Sequence, residues 1–113
     1  MREVKTGTVI TISSLAGKNG FAGGTAYCAS KFAVRGLMQC LFLEVRTDNI
    51  RFVTICPGSV DTDFFIEESH GTSLKSKKAL MAQDVADCVA LAASLPQNAD
   101  ISDMEVRPTN PKG

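Results

Sequence analysis

The chain contains 113 residues, of which 44% are apolar, and this composition suffices for the core of one globular domain. Its 12 basic residues are balanced by 12 acidic residues, which argues against a basic surface for nucleic acid or for an anionic membrane. No apolar run reaches the length of a membrane span and the first residues do not resemble a secretory signal, so the composition predicts a soluble, cytoplasmic protein.

The first half of the sequence alternates strand and helix patterns. A β-branched run over residues 8–12 predicts a strand, which ends at two serines and is followed by a loop of small residues. Apolar residues then recur at helical spacing over about residues 26–46, which predicts a long helix. The apolar run 50–56 predicts a second strand, ended by a Pro-Gly pair.

The second half predicts a loop with one short helix over residues 61–80, a helix over 83–95 and a last strand over 102–107. This alternation favours an α/β fold, a parallel sheet of about three strands with two main helices crossing its faces. The first two strands are apolar almost throughout, as in strands buried on both faces. A sheet this narrow nevertheless leaves an uncovered edge at the strand nearest the N-terminus.

The cysteines lack the spacing of a metal site. The sequence has no C-x-x-C pair and a single histidine, His70, which we expect to be a solvated loop residue. We therefore predict no metal. All four cysteines lie in apolar segments, so we expect buried free thiols, although their number alone also permits disulfides. They are Cys28, Cys40, Cys56 and Cys88.

Three residues carry a pattern that suggests acid–base chemistry. Tyr27 and Lys31 are four apart at the start of the long helix, so they project from one face. Ser14 follows the first strand, at the sheet edge where α/β proteins bind ligands. An ammonium and a helix N-terminus both favour a phenolate, so Tyr27 suits proton transfer to or from an alcohol. Ser14 could hydrogen-bond the same substrate oxygen.

Each of these features also has a plain structural interpretation. A tyrosine and a lysine four apart occur as an ordinary surface pair on many amphipathic helices, and two serines after a strand also form a turn. The order of these features along the chain favours a catalytic role over the structural interpretations. That order is strand, Ser14, glycine-rich loop, Tyr27, Lys31, helix, strand and Pro57-Gly58.

Three segments of the sequence resemble the short-chain dehydrogenase/reductase family. Residues 7–17 are similar to the family's fifth strand and active-site serine, and residues 26–34 to its Y-x-x-x-K helix. Residues 57–62 resemble its P-G-x-V-x-T segment. The resemblance implies a Rossmann-like, doubly wound parallel sheet. It also implies hydride transfer between a nicotinamide cofactor, NAD(P)(H), and a small-molecule carbonyl or alcohol substrate, in a protein that forms a homo-oligomer.

The resemblance also implies roles for single residues. Ser14 would orient the substrate carbonyl and Tyr27 would be the acid/base. Lys31 would contact the nicotinamide ribose and favour the tyrosine's ionised form. The remaining residues would hold the nicotinamide carboxamide and shape its turn, namely Pro57, Gly58, Val60 and Thr62. Residues 64–79 correspond to the family's substrate loop, in which Phe64, Phe65 and Ile66 suggest an apolar wall.

The family's glycine-rich cofactor turn, T-G-x-x-x-G-x-G, does not occur in this sequence. We therefore expect residues 1–113 to form the C-terminal catalytic portion of such a domain, without its dinucleotide-binding N-terminal half, and to bind the cofactor weakly or not at all. Two functional classes follow. The chain is an oxidoreductase, or it is an inactive truncated remnant that acts as a folded oligomerisation or interaction module.

Overall fold

The computed structural model describes residues 1–62 and 79–110. These residues form five strands and two α-helices, with short 3₁₀ turns at Leu15–Gly17 and Arg46–Asp48. In chain order the elements are β1 (Gly7–Ile12), α1 (Thr25–Val45), β2 (Ile50–Pro57), β3 (Val60–Asp61), β4 (Leu80–Met81), α2 (Ala82–Ser94) and β5 (Asp103–Val106).

The main sheet has three parallel strands in the order β1-β2-β5. Gly7 of β1 lies opposite Ile50 of β2, and Pro57 at the end of β2 lies opposite Val106 of β5. The central strand β2 is buried along its whole length, whereas β1 at the edge is half-buried and ends on an exposed Ile12. The predicted α/β class and parallel sheet are therefore confirmed, as is the uncovered edge at β1.

Alternate residues of β2 form two cores on opposite faces of the sheet. Ile50 and Phe52 pack with Met38 of α1 on one face. Val53 and Ile55 pack with Ala92 of α2 on the other face, as expected for a strand with period two between two helices. The crossover helices thus cover both sides of the sheet and hold its strand ends in place.

A buried arginine joins β2 to the end of α2. Arg51 is 6% exposed, and its guanidinium donates to the carbonyl oxygens of Leu95 at 3.0 Å and Ala99 at 3.1 Å. Longer bonds reach three further carbonyls, those of Ala92, Ala93 and Pro96. Its Nε also donates to the hydroxyl of Thr8 on β1. A positive charge at the negative C-terminal end of a helix is electrostatically favourable, so this arginine stabilises α2.

The structure corrects three expectations. Two strands, β3 and β4, pair in parallel at the ends of the region predicted as a loop with a short helix, and residues 63–78 between them lie outside the described residues. Strands of two residues are too short to give a periodic pattern. β1 is not buried on both faces, because it lies at the sheet edge. Cys40 is exposed on α1, and Cys88 is only half-buried, so buried thiols were wrongly predicted for these two cysteines.

Candidate active site

A cavity of about 790 Å³ opens at the carboxyl ends of β1 and β2. Parallel α/β sheets bind their ligands at this edge, because loops and helix N-termini converge there. All seven residues predicted for the site lie in the cavity wall: Ser14, Tyr27, Lys31, Pro57, Gly58, Val60 and Thr62. The geometry therefore brings all the residues predicted for the site together at one place.

Ser14 follows β1 and begins the short 3₁₀ turn Leu15–Gly17. Its backbone is extended, with φ of −166° and ψ of 163°, and its hydroxyl oxygen accepts a hydrogen bond from the backbone N–H of Ala16 at 3.0 Å. This bond caps the turn and orients the side chain at the cavity. Since the oxygen acts as acceptor in that bond, the hydroxyl proton can be donated to a ligand oxygen.

Tyr27 and Lys31 lie in the first two turns of α1, which begins at Thr25. The Lys31 ammonium is 5.7 Å from the centre of the Tyr27 ring, within the range of a cation–π contact. Its Nζ also donates a long hydrogen bond of 3.5 Å to the carbonyl oxygen of Ile12. The predicted common face is confirmed, and the positive end of the helix lies beside both side chains.

A tight contact joins the end of β1 to this helix. The Ser13 hydroxyl donates to the Lys31 carbonyl oxygen at 3.2 Å. A Cβ atom at Gly17 would lie 2.6 Å from the Ser13 hydroxyl and 2.9 Å from that same carbonyl oxygen. Arg35 donates to the carbonyl oxygen of Gly17 at 3.0 Å. The absence of a side chain at Gly17 thus permits the strand, the turn and the helix to approach this closely.

The opposite wall comes from the turn after β2. Gly58 donates its N–H to the carbonyl oxygen of Val106 at 2.8 Å, and a Cβ there would lie 3.2 Å from Cδ of Pro108. The N–H of Leu80 donates to the carbonyl oxygen of Ser59 at 2.9 Å, at the start of the β3–β4 pair. Backbone contacts therefore fix this turn between β5 and β4, facing the helix that carries Tyr27.

Charged residues form a network beside the cavity, which we call the β5 charge cluster: Lys18, Arg35, Asp103, Glu105 and Arg107. Hydrogen bonds from Arg107 and then Lys18 lower the pKa of Glu105 to about 2. Burial acts to raise the pKa of Asp103, but bonds from Lys18 and Arg35 outweigh it and the pKa is lowered. The carboxylates of Asp103 and Glu105 therefore stay ionised. Their ion pairs with Lys18 hold the loop after Ser14 against β5.

Sequence reasoning missed Phe21, which also lines the cavity. Its ring centre is 6.4 Å from that of Tyr27, with 55° between the planes, and its side chain is 56% exposed. The available signal was an aromatic residue within a loop rich in small residues. Val85 and Pro108 were likewise placed in elements but not in the site, because only tertiary structure brings α2 and the end of β5 to this cavity.

Within the part of the chain that the structure describes, no helix combines the length and the apolar character needed to cross a membrane. The longest one, α1, carries charged residues on its surface and packs against the sheet.

The chain is similar to known oxidoreductases over almost its whole length. The profile of the short chain dehydrogenase family matches residues 1–73. An uncharacterized oxidoreductase of Listeria monocytogenes is 35% identical over 94% of this chain and 46% of its own length. An NADP-dependent 3-hydroxy acid dehydrogenase of Schizosaccharomyces pombe is 28% identical over 95% of this chain and 44% of its own.

Solved structures show the same likeness. A serine dehydrogenase in its closed form, complexed with NADP⁺, superposes with a TM-score of 0.85 and is 29% identical. The match covers 94% of this chain and 46% of that one. This chain thus spans about half the length of the relatives it matches.

Proposed function

The chain belongs to the short-chain dehydrogenase/reductase family, and on this premise we propose that it transfers hydride between a nicotinamide cofactor and a carbonyl or alcohol substrate, with Tyr27 as acid/base. The observation that supports this most is the meeting of Ser14, Tyr27 and Lys31 in one cavity. Relatives carry names such as NADP-dependent 3-hydroxy acid dehydrogenase and serine dehydrogenase, which suggests hydroxylated acids as first substrates to test.

The residues present fit the nicotinamide end of such a cofactor. A cavity of about 790 Å³ is large enough for a nicotinamide ribose together with a small substrate, since ligand sites usually measure about 300–1,000 Å³. We propose that the Lys31 ammonium binds the ribose hydroxyls, and that the Val60 backbone and Thr62 hydroxyl bind the carboxamide. The Pro57-Gly58 turn is fixed by the hydrogen bond of Gly58 to Val106, and it would position the cavity wall that contacts the carboxamide. When bound, the nicotinamide supplies or accepts the hydride.

The chain's own residues handle the substrate oxygen. In the reducing direction Ser14 donates a hydrogen bond to the carbonyl oxygen and holds it beside Tyr27. As negative charge develops on that oxygen, the Tyr27 hydroxyl transfers its proton to it. The Lys31 ammonium and the N-terminus of α1 stabilise the resulting phenolate. In the oxidising direction the same phenolate takes the proton from the alcohol.

Intrinsic fluorescence gives a direct test, because the sequence holds one tyrosine and no tryptophan. Emission of the folded chain therefore comes from Tyr27, and a reduced nicotinamide bound beside it quenches that emission by energy transfer. We expect NADPH and reduced nicotinamide mononucleotide to quench with similar midpoints, since the proposed contacts are all to the nicotinamide end. Lys31→Met should shift both midpoints to higher concentration. No quenching at millimolar concentration of either ligand would contradict the proposed binding.

Turnover is tested with Tyr27→Phe, which keeps the ring and removes the transferable proton. Loss of a general acid lowers kcat by about 10²- to 10⁴-fold, and oxidation of NADPH with a carbonyl substrate reports it. Cys40→Ser is the control, because Cys40 is exposed on α1 away from the cavity. Equal rates for Tyr27→Phe and the unmodified chain would exclude Tyr27 as the acid/base.

The second proposed role, an inactive folded module that self-associates, is supported by a different surface. Three large apolar side chains of α1 are exposed, Phe32 at 45%, Leu37 at 58% and Leu43 at 67%. Exposed large apolar side chains on a helix favour pairing with another surface. Sedimentation velocity of the chain and of Leu37→Lys tests this. A dimer that dissociates in the variant, together with no nicotinamide binding, would favour the module over the enzyme.

A further inference from the structure

We propose that Phe21 determines substrate specificity: its ring forms a fixed aromatic wall beside Tyr27 and selects carbonyl compounds that carry an aryl group next to the reacting carbon. This inference rests on the proposed function, because it names the substrate class of the same site. It depends on the place of the ring, on what holds the ring there, and on the walls that surround it.

Phe21 lines the cavity and remains largely exposed. It contributes to the cavity wall together with Ser14 and Tyr27, yet its side chain is 56% exposed. An uncovered aromatic ring in a concave site is typical of a binding surface, because a ligand can remove its apolar area from water. The separation of 6.4 Å and the tilt of 55° against Tyr27 also lie in the range of paired aromatic rings.

The turn that carries Phe21 has a defined backbone conformation, and the ring lies over its last residue. Gly24 donates its N–H to the carbonyl oxygen of Phe21 at 3.1 Å, and Gly23 has a positive φ of 83°. This combination corresponds to a type II turn, which favours glycine at its third position. A Cβ atom at Gly24 would lie 2.5 Å from two ring atoms of Phe21 and 2.8 Å from a third. The tip of the ring therefore lies over Gly24, in the space that the Cβ atom of any other residue there would occupy.

The other walls are consistent with an aryl substituent. Leu15 and Val85 present apolar side chains to the same cavity. The hydroxyls of Ser14 and Tyr27 lie where a carbonyl oxygen would bind, so a ligand can direct its polar end to them and its apolar end to Phe21. A flat ring beside Phe21 gains stacking contact, which a saturated group of similar size cannot give to the same extent.

The test measures binding of 4′-fluoroacetophenone to the full chain by ¹⁹F NMR, without cofactor and without turnover. We expect Phe21→Ala to weaken binding at least about fivefold, the size of a stacked aromatic contact. Phe21→Leu keeps apolar area but no aromatic face, and should weaken it to an intermediate degree. Gly24→Ala should weaken binding with the phenylalanine still present, because its methyl group displaces the ring.

The matched control is Gly36→Ala on α1, where an added Cβ meets nothing within 4 Å and lies outside the cavity wall. Its affinity should equal that of the unmodified chain. Displacement of the fluorinated probe by cyclohexyl methyl ketone gives a second measurement. The unmodified chain should prefer the aryl ketone, and Phe21→Leu should lose that preference. Far-UV circular dichroism establishes that each variant is folded, and Phe21→Leu remains informative if Gly24→Ala unfolds.

Equal affinity for Phe21→Ala and the unmodified chain, or no binding of the aryl ketone at millimolar concentration, would overturn the proposal. A failure of this proposal can be distinguished from a failure of the proposed function. Aryl-ketone binding that depends on Phe21, without any turnover, supports the specificity role and counts against the enzyme. Turnover with an aryl-to-alkyl kcat/KM ratio that Phe21→Ala leaves unchanged supports the enzyme and excludes this role for Phe21.

Discussion

The side-chain hydroxyl of Ser13 donates a hydrogen bond to the backbone carbonyl oxygen of Lys31, with 3.2 Å between the two oxygens. Two adjacent serines therefore act differently. Ser13 is 3% exposed and ties the end of β1 to α1, while the Ser14 hydroxyl accepts a hydrogen bond from the N–H of Ala16 at the cavity wall. Because Lys31 and Tyr27 belong to the same two helical turns, this bond joins the strand end that carries Ser14 to the helix that carries Tyr27 and Lys31. It is one of the contacts that bring the three residues together.

The first prediction concerns Gly17, where the strand, the turn and the helix meet. Gly17→Ala places a methyl group 2.6 Å from the Ser13 hydroxyl and 2.9 Å from the Lys31 carbonyl oxygen. Overpacking of this kind costs about 1–3 kcal/mol, and urea unfolding followed by circular dichroism measures it. Gly20→Ala in the same loop is the control, because its Cβ meets nothing within 4 Å. Equal unfolding midpoints for the two variants would show that the loop can move away.

The sequence predicted those elements of the fold that show a regular pattern of apolar residues. The β-branched runs of β1 and β2 and the helical spacing of α1 and α2 follow from local periodicity, and their bounds agree with the structure within about two residues. The Y-x-x-x-K spacing likewise placed Tyr27 and Lys31 on one face, because four residues make about one turn. The family resemblance then supplied the turn at residues 57–62.

Features that depend on tertiary contacts could not be predicted in this way. β3 and β4 have two residues each and exist only because their neighbours bring them together. The Phe21–Gly24 contact depends on the conformation of a turn, and a turn has no periodic pattern from which its conformation could be predicted. Cys40 lies in an apolar segment, yet the amphipathic geometry of α1 turns it to the exposed side. Apolar neighbours in sequence thus do not decide which side of a helix is buried.

The second prediction concerns stability at low pH. The pKa of Glu105 is lowered to about 2 by Arg107 and Lys18, and that of Asp48 is lowered by Lys5 and Arg2. A carboxyl with a lower pKa in the folded state stabilises the fold above its unfolded pKa and loses this contribution as the pH falls through its folded pKa. We therefore expect the thermal midpoint to be nearly constant above about pH 5 and to fall progressively between about pH 4.5 and 2.

Glu105→Gln isolates one contribution to that profile. The amide cannot ionise, so part of the loss of stability below pH 4.5, the unfolded value for this carboxyl, should disappear. Thermal melts by circular dichroism at pH 7, 5, 4 and 3 measure the difference. Glu3→Gln is the control, since this exposed glutamate belongs to none of the ion pairs described for Glu105 and Asp48. A Glu105→Gln profile parallel to that of the unmodified chain at every pH would refute the role of this carboxyl.

The third prediction concerns the reactivity of the thiols. Cys40 is exposed, whereas Cys56 is fully buried and burial raises the pKa of its thiol. Alkylation needs an accessible thiolate, so iodoacetamide should label Cys40 first and Cys56 only after denaturation. Peptide mass spectrometry resolves the two sites, and Cys40→Ser should abolish the fast phase. Labelling of Cys40 that slows as protein concentration rises would show that self-association covers the outer side of α1.

The fourth prediction concerns Arg51, which is 6% exposed and whose guanidinium lies among the carbonyl oxygens at the end of α2. Arg51→Met removes these donors from carbonyl oxygens that are buried or partly buried, which should lower the free energy of unfolding by on the order of 3 kcal/mol. Arg51→Lys keeps the charge but lacks the planar fork that reaches several carbonyls at once, so it should recover only part of this stability.

The control for Arg51 is Arg46→Met. Arg46 is exposed and its guanidinium carbon lies 4.8 Å from the Phe42 ring centre, so its loss should cost no more than about 1 kcal/mol. Urea unfolding of the four proteins ranks them. If Arg51→Lys is as stable as the unmodified chain, the charge alone stabilises α2 through the helix dipole. If Arg51→Met is as stable, the carbonyls find other donors, and Arg51 is not what links β2 to the end of α2.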